Sequence, residues 1–268
     1  MVEILEVGGL EIAYELVGEG PPVVFVHGAA EDGRIWQPQF AGLADEFTVV
    51  AWDEPGSGRS GDLPDGFTLA AFADGLAALL EALELGPSHI VGQSWGGTVV
   101  LELYRRHPEL AATLILIDTY AGWKGSLPAD EVRARVEGVR KMLGAPPEQF
   151  DPTFPGLFAG EPPRSFVPLL ATIAADVRLA TLQQELDIMA EADLSDVLPQ
   201  IGVPTLLIWG ESDVRSPLAI ARRFDESIPD SKLVVIERAG HLSNLERPEH
   251  VNEAIREFCR AHAPISPA

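Results

Sequence analysis

Short apolar runs alternate with longer segments of helical spacing along most of this chain. Five runs are apolar at nearly every position, which is typical of strands that are buried on both faces of a parallel sheet. Before them, residues 2–6 and 10–16 alternate apolar and polar positions around Gly8-Gly9, and this pattern predicts a hairpin. The five apolar runs span residues 22–26, 47–52, 114–117, 205–209 and 233–236.

Segments with apolar residues three or four positions apart predict helices between these strands. One helix is predicted over residues 68–85, with Thr68 as its N-cap and Gly86-Pro87 at its end. A strand at 88–91 leads into a helix over 98–107, and a last helix is predicted over 248–261. Together the elements predict an α/β protein whose mostly parallel sheet is covered by helices, with functional groups at the carboxyl ends of its strands.

Residues 120–198 interrupt this alternation. The segment contains several prolines, no strand-like apolar run, and helical patterns at 129–143 and 166–192. We therefore expect residues 1–119 and 199–268 to form the core, and residues 120–198 to form a helical cap over the carboxyl edge of the sheet. Aromatic residues of this cap are candidates to line a substrate pocket or to pack the cap onto the core: Trp123, Phe154 and Phe158.

Composition restricts the partners of the protein. The 268 residues suit one α/β domain with an insertion. Its 41 acidic and 19 basic residues give a net charge of −22, which argues against nucleic acid or an anionic membrane as a partner. We expect a small-molecule substrate and a monomer or homodimer.

Few features of the sequence indicate where in the cell the protein is located. The single cysteine, Cys259, allows no intramolecular disulfide and is expected to be buried and inert. The N-terminal residues lack the pattern of a signal peptide, and no apolar run approaches the ~20 residues of a membrane span. We therefore expect a cytoplasmic protein.

A Gly-x-Ser-x-Gly segment, Gly92-Gln93-Ser94-Trp95-Gly96, lies between the strand at 88–91 and the following helix. This context is typical of a nucleophile elbow, a sharp strand-to-helix turn that exposes a serine. Glycines at 92 and 96 remove the Cβ atoms that would collide where strand and helix crowd together. The helix N-terminus offers free N–H groups to a developing oxyanion. Ser94 is therefore the predicted nucleophile.

A serine nucleophile needs a base within hydrogen-bond reach. Two of the six histidines, His27 and His241, directly follow predicted strands and so lie at the same sheet edge as Ser94. His241, in the loop after the strand at 233–236, is the predicted general base. For His27 we expect a structural role in bracing the next loop, with general-base catalysis as the alternative.

The base in turn needs a carboxylate that fixes its tautomer and stabilises the imidazolium. Asp213 follows the strand at 205–209, and the order Ser94, Asp213, His241 is that of α/β-hydrolases. Two other carboxylates compete for this role. Glu211 lies on the same loop as Asp213, and Asp118 ends the strand at 114–117.

Two backbone amides are predicted to form the oxyanion hole. One belongs to Trp95, directly after the nucleophile, and the other to Ala29 in the loop after Val26. Residues around this loop and in the cap are the candidates for the substrate pocket: His27, Trp36, Trp123, Phe154, Phe158 and Leu242.

A glycine-rich turn at residues 53–60 lacks the spacing and the lysine of a phosphate-binding loop. We expect it to brace the loop that contains His27. The sequence also shows no zinc-type ligand spacing and no dinucleotide fingerprint. No metal and no cofactor are therefore expected.

Five motifs together resemble the α/β-hydrolase superfamily, and the resemblance covers nearly the whole chain. It is weakest over residues 120–198, where that family has its variable cap. The resemblance implies an eight-stranded, mostly parallel sheet, a helical cap, and acyl transfer through a serine ester. The motifs are His27-Gly28, Asp53-x-x-Gly56-x-Gly58-x-Ser60, Gly92-x-Ser94-x-Gly96-Gly97, Gly210-x-x-Asp213 and Gly240-His241.

Within the superfamily, the chain is most similar to the branch with carboxylesterases, lactonases, proline iminopeptidases and carbon–carbon bond hydrolases. Ser rather than Asp at position 94 argues against the haloalkane dehalogenase and epoxide hydrolase branches. The elbow around Ser94 resembles that of proline iminopeptidases, which hold the free amine of their substrates with acidic cap residues. The acidic residues of this cap are instead expected to form a solvated helix face: Glu185, Asp187, Glu191 and Asp193.

Three functions follow from these expectations. The first is hydrolysis of a small or medium carboxylic ester through an acyl-enzyme on Ser94. In the second, the same residues act on an N-terminal proline peptide, a lactone or a C–C bond. The third is of another class, a ligand-binding receptor built on a hydrolase scaffold.

Overall fold

A computed structural model describes residues 1–144 and 155–263. Its strands fall where the apolar runs predict them, with ends that differ by a few residues. The strands are β1 (Val2–Val7), β2 (Leu10–Val17), β3 (Pro22–Val26), β4 (Thr48–Trp52), β5 (Ser88–Gln93), β6 (Ala111–Ile117), β7 (Thr205–Gly210) and β8 (Ser231–Ile236).

All eight strands form one sheet in the order β1-β2-β4-β3-β5-β6-β7-β8. The hairpin β1–β2 is antiparallel, β2 pairs with β4 in the same sense, and every later pair is parallel. The register aligns Val26 with Gly92 and Gln93 with Ile117, and it aligns Gly210 with Ile236. The loops that follow β3, β5, β6, β7 and β8 therefore emerge at one edge.

Helices connect the strands and cover both faces of the sheet. The predicted α/β architecture, with a mostly parallel eight-stranded sheet, is thus confirmed. The helices are α1 (Gln37–Leu43), α2 (Leu69–Ala82), α3 (Trp95–Arg106), α4 (Trp123–Ser126), α5 (Ala129–Leu143), α6 (Val167–Ala175), α7 (Leu179–Glu191), α8 (Leu218–Ser227), α9 (Ser243–Glu246) and α10 (Pro248–Ala261).

Two apolar layers flank the sheet. Alternate residues of β3 enter opposite layers: Val24 and Val26 pack with α2 and α3, whereas Val23 and Phe25 pack with α1 and α10. This division follows from the two-residue period of a strand. Cys259 lies buried in the second layer, where burial raises the pKa of its thiol to about 12.

The predicted helix over 166–192 is wrong as a single element, because the chain breaks between α6 and α7. Asp176 ends α6, and Arg178 adopts an extended backbone before α7 begins. Both side chains are bound to the core. The carboxylate of Asp176 pairs with the Arg34 guanidinium at 2.6 Å, and Arg178 donates to the Ser60 carbonyl at 2.9 Å.

The described part of the segment between β6 and β7 is helical and contains no strand. Helix α7 packs its apolar side into the layer formed with α2 and α3, through Leu182, Leu186 and Met189. None of the described helices combines the length and the apolar character needed to cross a bilayer.

Candidate active site

Ser94 lies at a sharp turn between β5 and α3. Its backbone has φ 51° and ψ −116°, a conformation that is rare for residues with a side chain and that costs free energy. Three hydrogen bonds hold the turn. The Ser94 N–H donates to the Ile117 carbonyl at 3.0 Å, the Gly97 N–H donates to the Ser94 carbonyl at 3.1 Å, and the Thr119 hydroxyl donates to that carbonyl at 2.5 Å.

The glycines of the turn allow the close approach of neighbouring backbone. A Cβ atom on Gly96 would lie 2.3 Å from the Val26 carbonyl oxygen, and one on Gly92 would lie 2.6 Å from the Gly96 oxygen. Real Cβ atoms do not approach backbone so closely. Side chains here would therefore separate α3 from β3 and β5.

A continuous chain of hydrogen bonds joins Ser94, His241 and Asp213. The Ser94 hydroxyl lies 2.9 Å from Nε2 of His241, and Nδ1 of the same ring lies 2.8 Å from Oδ2 of Asp213. The histidine and aspartate side chains are buried. This arrangement gives Ser94 a base and gives that base a carboxylate partner.

The loop after β7 orients Asp213. Its Oδ1 accepts hydrogen bonds from the backbone N–H groups of Arg215 at 2.7 Å and Ser216 at 2.9 Å. These bonds occupy one carboxylate oxygen and leave the other for His241. The Gln93 amide donates to the His241 carbonyl at 3.0 Å and fixes the histidine loop from the opposite side.

The other two candidate carboxylates point elsewhere. Asp118 is buried and accepts hydrogen bonds from the Gly210 N–H at 2.7 Å and the Ser243 hydroxyl at 2.6 Å. Glu211 is exposed and accepts from the Arg238 N–H at 3.2 Å. Of the three carboxylates, Asp213 is the one that contacts His241.

Burial and charge act in opposite directions on His241. Loss of solvation lowers the pKa of its imidazole, while the charge and hydrogen bond of Asp213 raise it. Burial is the larger effect, so the pKa lies below 6.5. The ring is therefore neutral at pH 7, as a general base must be.

The loop after β3 runs beside Ser94 and contacts two glutamate side chains. The Gly28 N–H donates to Oε2 of Glu31 at 2.9 Å, and the Ala30 backbone lies beside the Glu185 carboxyl group, whose charged form it stabilises. The N–H of Ala29, between them, has no acceptor among the described residues. Trp95 is the first residue of α3, so its N–H has no acceptor within the helix.

A cavity opens onto Ser94 and His241. Glu31 and Arg215 contribute its ionisable groups, and helical residues from the segment between β6 and β7 form much of its apolar wall. The other lining residues are Gly28, Ala29, Gln93, Tyr120, Trp123, Val139, Leu157, Leu186 and Met189.

A second cavity shares Ala29, Glu31 and Leu157 with the first. It is lined almost entirely by apolar side chains, among them Phe158 and Leu242. Of the six predicted pocket residues, the structure thus places Trp123 in the cavity beside Ser94 and these two in the adjoining one.

Two predicted pocket residues line neither cavity, and both predictions are wrong. His27 is fully buried, and its Nε2 accepts the Glu54 N–H at 3.0 Å, which joins the loops after β3 and β4. Trp36 is fully buried against Phe25, with ring centroids 4.8 Å apart, because its helical turn faces the sheet. Phe154 lies outside the described residues.

The predicted solvated face of α7 is correct at Asp187 and Glu191 but wrong at Glu185. The Glu185 side chain is 1% exposed, because it lies on the same side of α7 as Leu182 and Leu186. It extends towards the loops after β3 and β4, where it lies beside Ala30 and accepts a long hydrogen bond from the Ser57 hydroxyl at 3.5 Å. Asp193, beyond the helix, is exposed.

Sequence reasoning missed several residues around Ser94. Arg215 comes two positions after Asp213, and Glu31 comes four positions after His27. Both therefore lie in loops that follow parallel strands, and this position in the sequence could have indicated them. No such signal marks Leu186 or Met189, because their place in the cavity depends on how α7 packs. No group of described residues has the composition and geometry of a metal site.

Comparison with known proteins gives consistent results. The model of the Alpha/beta hydrolase family matches residues 23–254. A pimeloyl-acyl-carrier-protein methyl ester esterase from Aeromonas hydrophila is 30% identical over 93% of this chain and 99% of its own. A thermophilic esterase from Thermogutta terrifontis is 33% identical, with a TM-score of 0.80 over 98% of this chain and 100% of its own. An esterase from Exiguobacterium antarcticum is 25% identical, with a TM-score of 0.87 over 97% of this chain and 100% of its own.

Proposed function

The chain belongs to the alpha/beta hydrolase family, and from that premise we propose that it cleaves small or medium carboxylic esters through an acyl-enzyme on Ser94. The observation that carries the proposal is the unbroken hydrogen-bond chain from the Ser94 hydroxyl through His241 to Asp213. The similarity to esterases over almost the full length of the chain supports the same reaction class.

In the first half of the reaction, Nε2 of His241 takes the proton of the Ser94 hydroxyl as Oγ attacks the ester carbonyl. The electron pair of the C=O π bond moves to the oxygen. The resulting oxyanion accepts hydrogen bonds from the N–H groups of Ala29 and Trp95. As the carbonyl re-forms, the C–O bond to the leaving group breaks. His241 returns its proton to that alcohol, and an acyl group remains on Ser94.

A water molecule then repeats the sequence on the acyl-enzyme. His241 takes a proton from the water, the hydroxide adds to the acyl carbon, and the Ser94 oxygen leaves with the proton of the imidazolium. Asp213 accepts from Nδ1 of His241 throughout, so the ring keeps Nε2 towards the reacting groups. Its negative charge also stabilises the imidazolium formed in each half.

The residues 120–198 serve, in this proposal, as the cap that closes the substrate cavity over the core formed by 1–119 and 199–268. Trp123, Leu186 and Met189 of this segment face Ser94 across the cavity. The cavity beside Ser94, with a second, apolar cavity next to it, is where we place the ester substrate.

Release of p-nitrophenol from p-nitrophenyl butyrate, by the wild-type protein and by Ser94→Ala, tests the proposal. We expect wild-type turnover and a loss on the order of 10⁴–10⁶ in kcat in the variant. Turnover of Ser94→Ala within tenfold of wild type would exclude Ser94 as the nucleophile. Absence of turnover in both would exclude simple ester hydrolysis and favour a lactone, proline-arylamide or C–C substrate, or a receptor.

A further inference from the structure

We propose that Glu31 and Glu185 are positioning residues of the oxyanion hole. Their side chains support the two residues that flank Ala29, and so direct the Ala29 N–H at the oxyanion. The inference rests on the proposed function, since it concerns the same reaction. It assigns a role in that reaction to two side chains that do not touch the reacting atoms.

The contacts of the loop after β3 carry the inference. Oε2 of Glu31 accepts the Gly28 N–H at 2.9 Å, and the carboxyl group of Glu185 lies beside the Ala30 backbone, in the same small pocket. The Ser57 hydroxyl, from the loop after β4, lies 3.5 Å from Oε1 of Glu185. Thus a carboxyl group lies on each side of the peptide unit that contributes the Ala29 amide, and that of Glu31 is hydrogen-bonded to it through Gly28.

The backbone of this turn needs such support. Ala30 has φ 62°, in the left-handed region that a residue with a Cβ atom occupies only at a cost in free energy. A turn of this kind relaxes unless its amides are bound in place. The Glu185 carboxyl group lies beside the residue that is strained.

The second proposed donor is held in a similar way. The Trp95 indole N–H donates to Oε2 of Glu54 at 2.6 Å, and the Glu54 backbone N–H donates to His27, which directly precedes Gly28. Glu54 and Glu185 are both buried and lie close enough to affect one another electrostatically. The residues of both donors are therefore tied to buried carboxyl groups on the same side of Ser94.

Glu185 gives the inference a structural consequence. It lies on α7, in the segment between β6 and β7, whereas Ala29 belongs to the loop after β3. The oxyanion hole is then complete only when α7 is packed against the core. A change in α7 that leaves Ser94, His241 and Asp213 untouched would still slow the reaction.

The glutamine variants are suitable conservative replacements at both positions. Burial raises the pKa of Glu31 to about 7 and that of Glu185 to about 8, so a large share of each carboxyl group is neutral at pH 7. A glutamine keeps the size of the side chain and one carbonyl oxygen that accepts a backbone N–H. An alanine removes the acceptor.

The test compares Glu31→Ala, Glu31→Gln, Glu185→Ala and Glu185→Gln with wild type in the p-nitrophenyl butyrate assay. Glu191→Ala, an exposed glutamate on the same helix α7, is the matched control. Each protein is also titrated with 1-butaneboronic acid. This acid forms a tetrahedral anionic adduct on a nucleophilic serine, with one boron-bound oxygen in the position of the oxyanion.

We expect each alanine variant to lower kcat by about 10–100-fold, part of the 10²–10³ that removal of an oxyanion donor costs. KM should change by less than about threefold, because the interaction is made in the transition state. The boronic acid Ki should rise by about the same factor as kcat falls. The glutamine variants and Glu191→Ala should stay within about threefold of wild type.

Other outcomes would overturn the inference. Alanine variants with wild-type kcat and boronic acid Ki would show that the two carboxyl groups do not position the oxyanion hole. Glutamine variants as impaired as the alanine ones, at equal Tm, would show that the charge rather than the acceptor matters. If Glu185→Ala does not fold, the kcat and boronic acid Ki of the loop variant Glu31→Ala test the inference. Wild-type protein with no Ser94-dependent turnover would overturn the proposed function itself.

Discussion

The imidazole Nδ1 of His241 lies 2.8 Å from Oδ2 of Asp213, and the other oxygen of that carboxylate is bound by two backbone amides. The aspartate is thus fixed before it contacts the histidine. A carboxylate held in this way selects the His241 tautomer with hydrogen on Nδ1, which leaves the lone pair of Nε2 facing Ser94.

Asp213→Asn should therefore keep the fold and lose activity. The amide can donate a hydrogen bond to Nδ1, which stabilises the wrong tautomer and leaves no base facing Ser94. We expect kcat for p-nitrophenyl butyrate to fall on the order of 10⁴-fold, with little change in Tm. Glu211→Gln, on the same loop, is the control and should retain wild-type kcat. Equal kcat in Asp213→Asn and wild type would contradict the assignment.

Asp118→Ala should affect stability more than catalysis. Burial and the nearby Asp213 raise the pKa of Asp118, and its carboxyl group satisfies the Gly210 N–H and the Ser243 hydroxyl. Without it, we expect the free energy of unfolding to fall by about 1–3 kcal/mol for each group left unsatisfied. Urea denaturation measures this loss. A kcat loss as large as that of Asp213→Asn, with unchanged stability, would show that Asp118 is the carboxylate that supports His241.

The hydrophobic pattern predicted the carboxyl ends of the parallel strands to within two residues, and that was sufficient to group the main candidate residues. Ser94, Asp213 and His241 each follow a parallel strand, so the topology brings their loops to one edge regardless of sequence distance. His241 and Ser94 meet although they are 147 positions apart. A position after a parallel strand predicts at which edge of the sheet a residue lies, but not where its side chain points. For that reason Asp118 and Glu211 were also candidates.

The pocket could not be predicted in the same way. Trp36 belongs to a short turn whose side chains face the sheet, and the sequence alone does not show this orientation. The charge of Glu185 predicts an exposed side chain. In the structure it is buried, because it shares one side of the helix with Leu182 and Leu186. Its neighbours Ala30 and Ser57 belong to two distant loops, and neither periodicity nor composition indicates such a contact.

The pH dependence of kcat/KM should follow the lowered pKa of His241. Because burial lowers this pKa below 6.5, the ring stays neutral and active as pH falls through 6.5. We expect the acid limb of the profile for p-nitrophenyl butyrate to have an apparent pKa below 6.5. A limb centred near 7 that disappears in Glu31→Gln would instead assign the titration to Glu31, whose pKa is raised to about 7 by burial.

Leu186→Ala should shift acyl-chain preference. Leu186 lines the cavity beside Ser94, and its truncation makes room for further methylene groups, each worth about 0.8 kcal/mol of burial. We expect the ratio of kcat/KM for p-nitrophenyl octanoate over butyrate to rise about tenfold or more. Leu103→Ala, in the buried part of α3 away from the cavity, controls for lost stability and should leave this ratio unchanged. Equal ratios in both variants would place the acyl chain elsewhere.

Covalent labelling tests the central claim, that Ser94 is the nucleophile, most directly. Diethyl p-nitrophenyl phosphate transfers its diethylphosphoryl group to a serine that a neighbouring histidine activates, and p-nitrophenol is released. Intact-mass analysis after labelling, followed by peptide mapping, should show one diethylphosphoryl group per chain, on Ser94, with esterase activity lost in proportion. Ser94→Ala should remain unlabelled. Full activity in the labelled protein, or an adduct on another residue that accounts for the loss, would contradict the account.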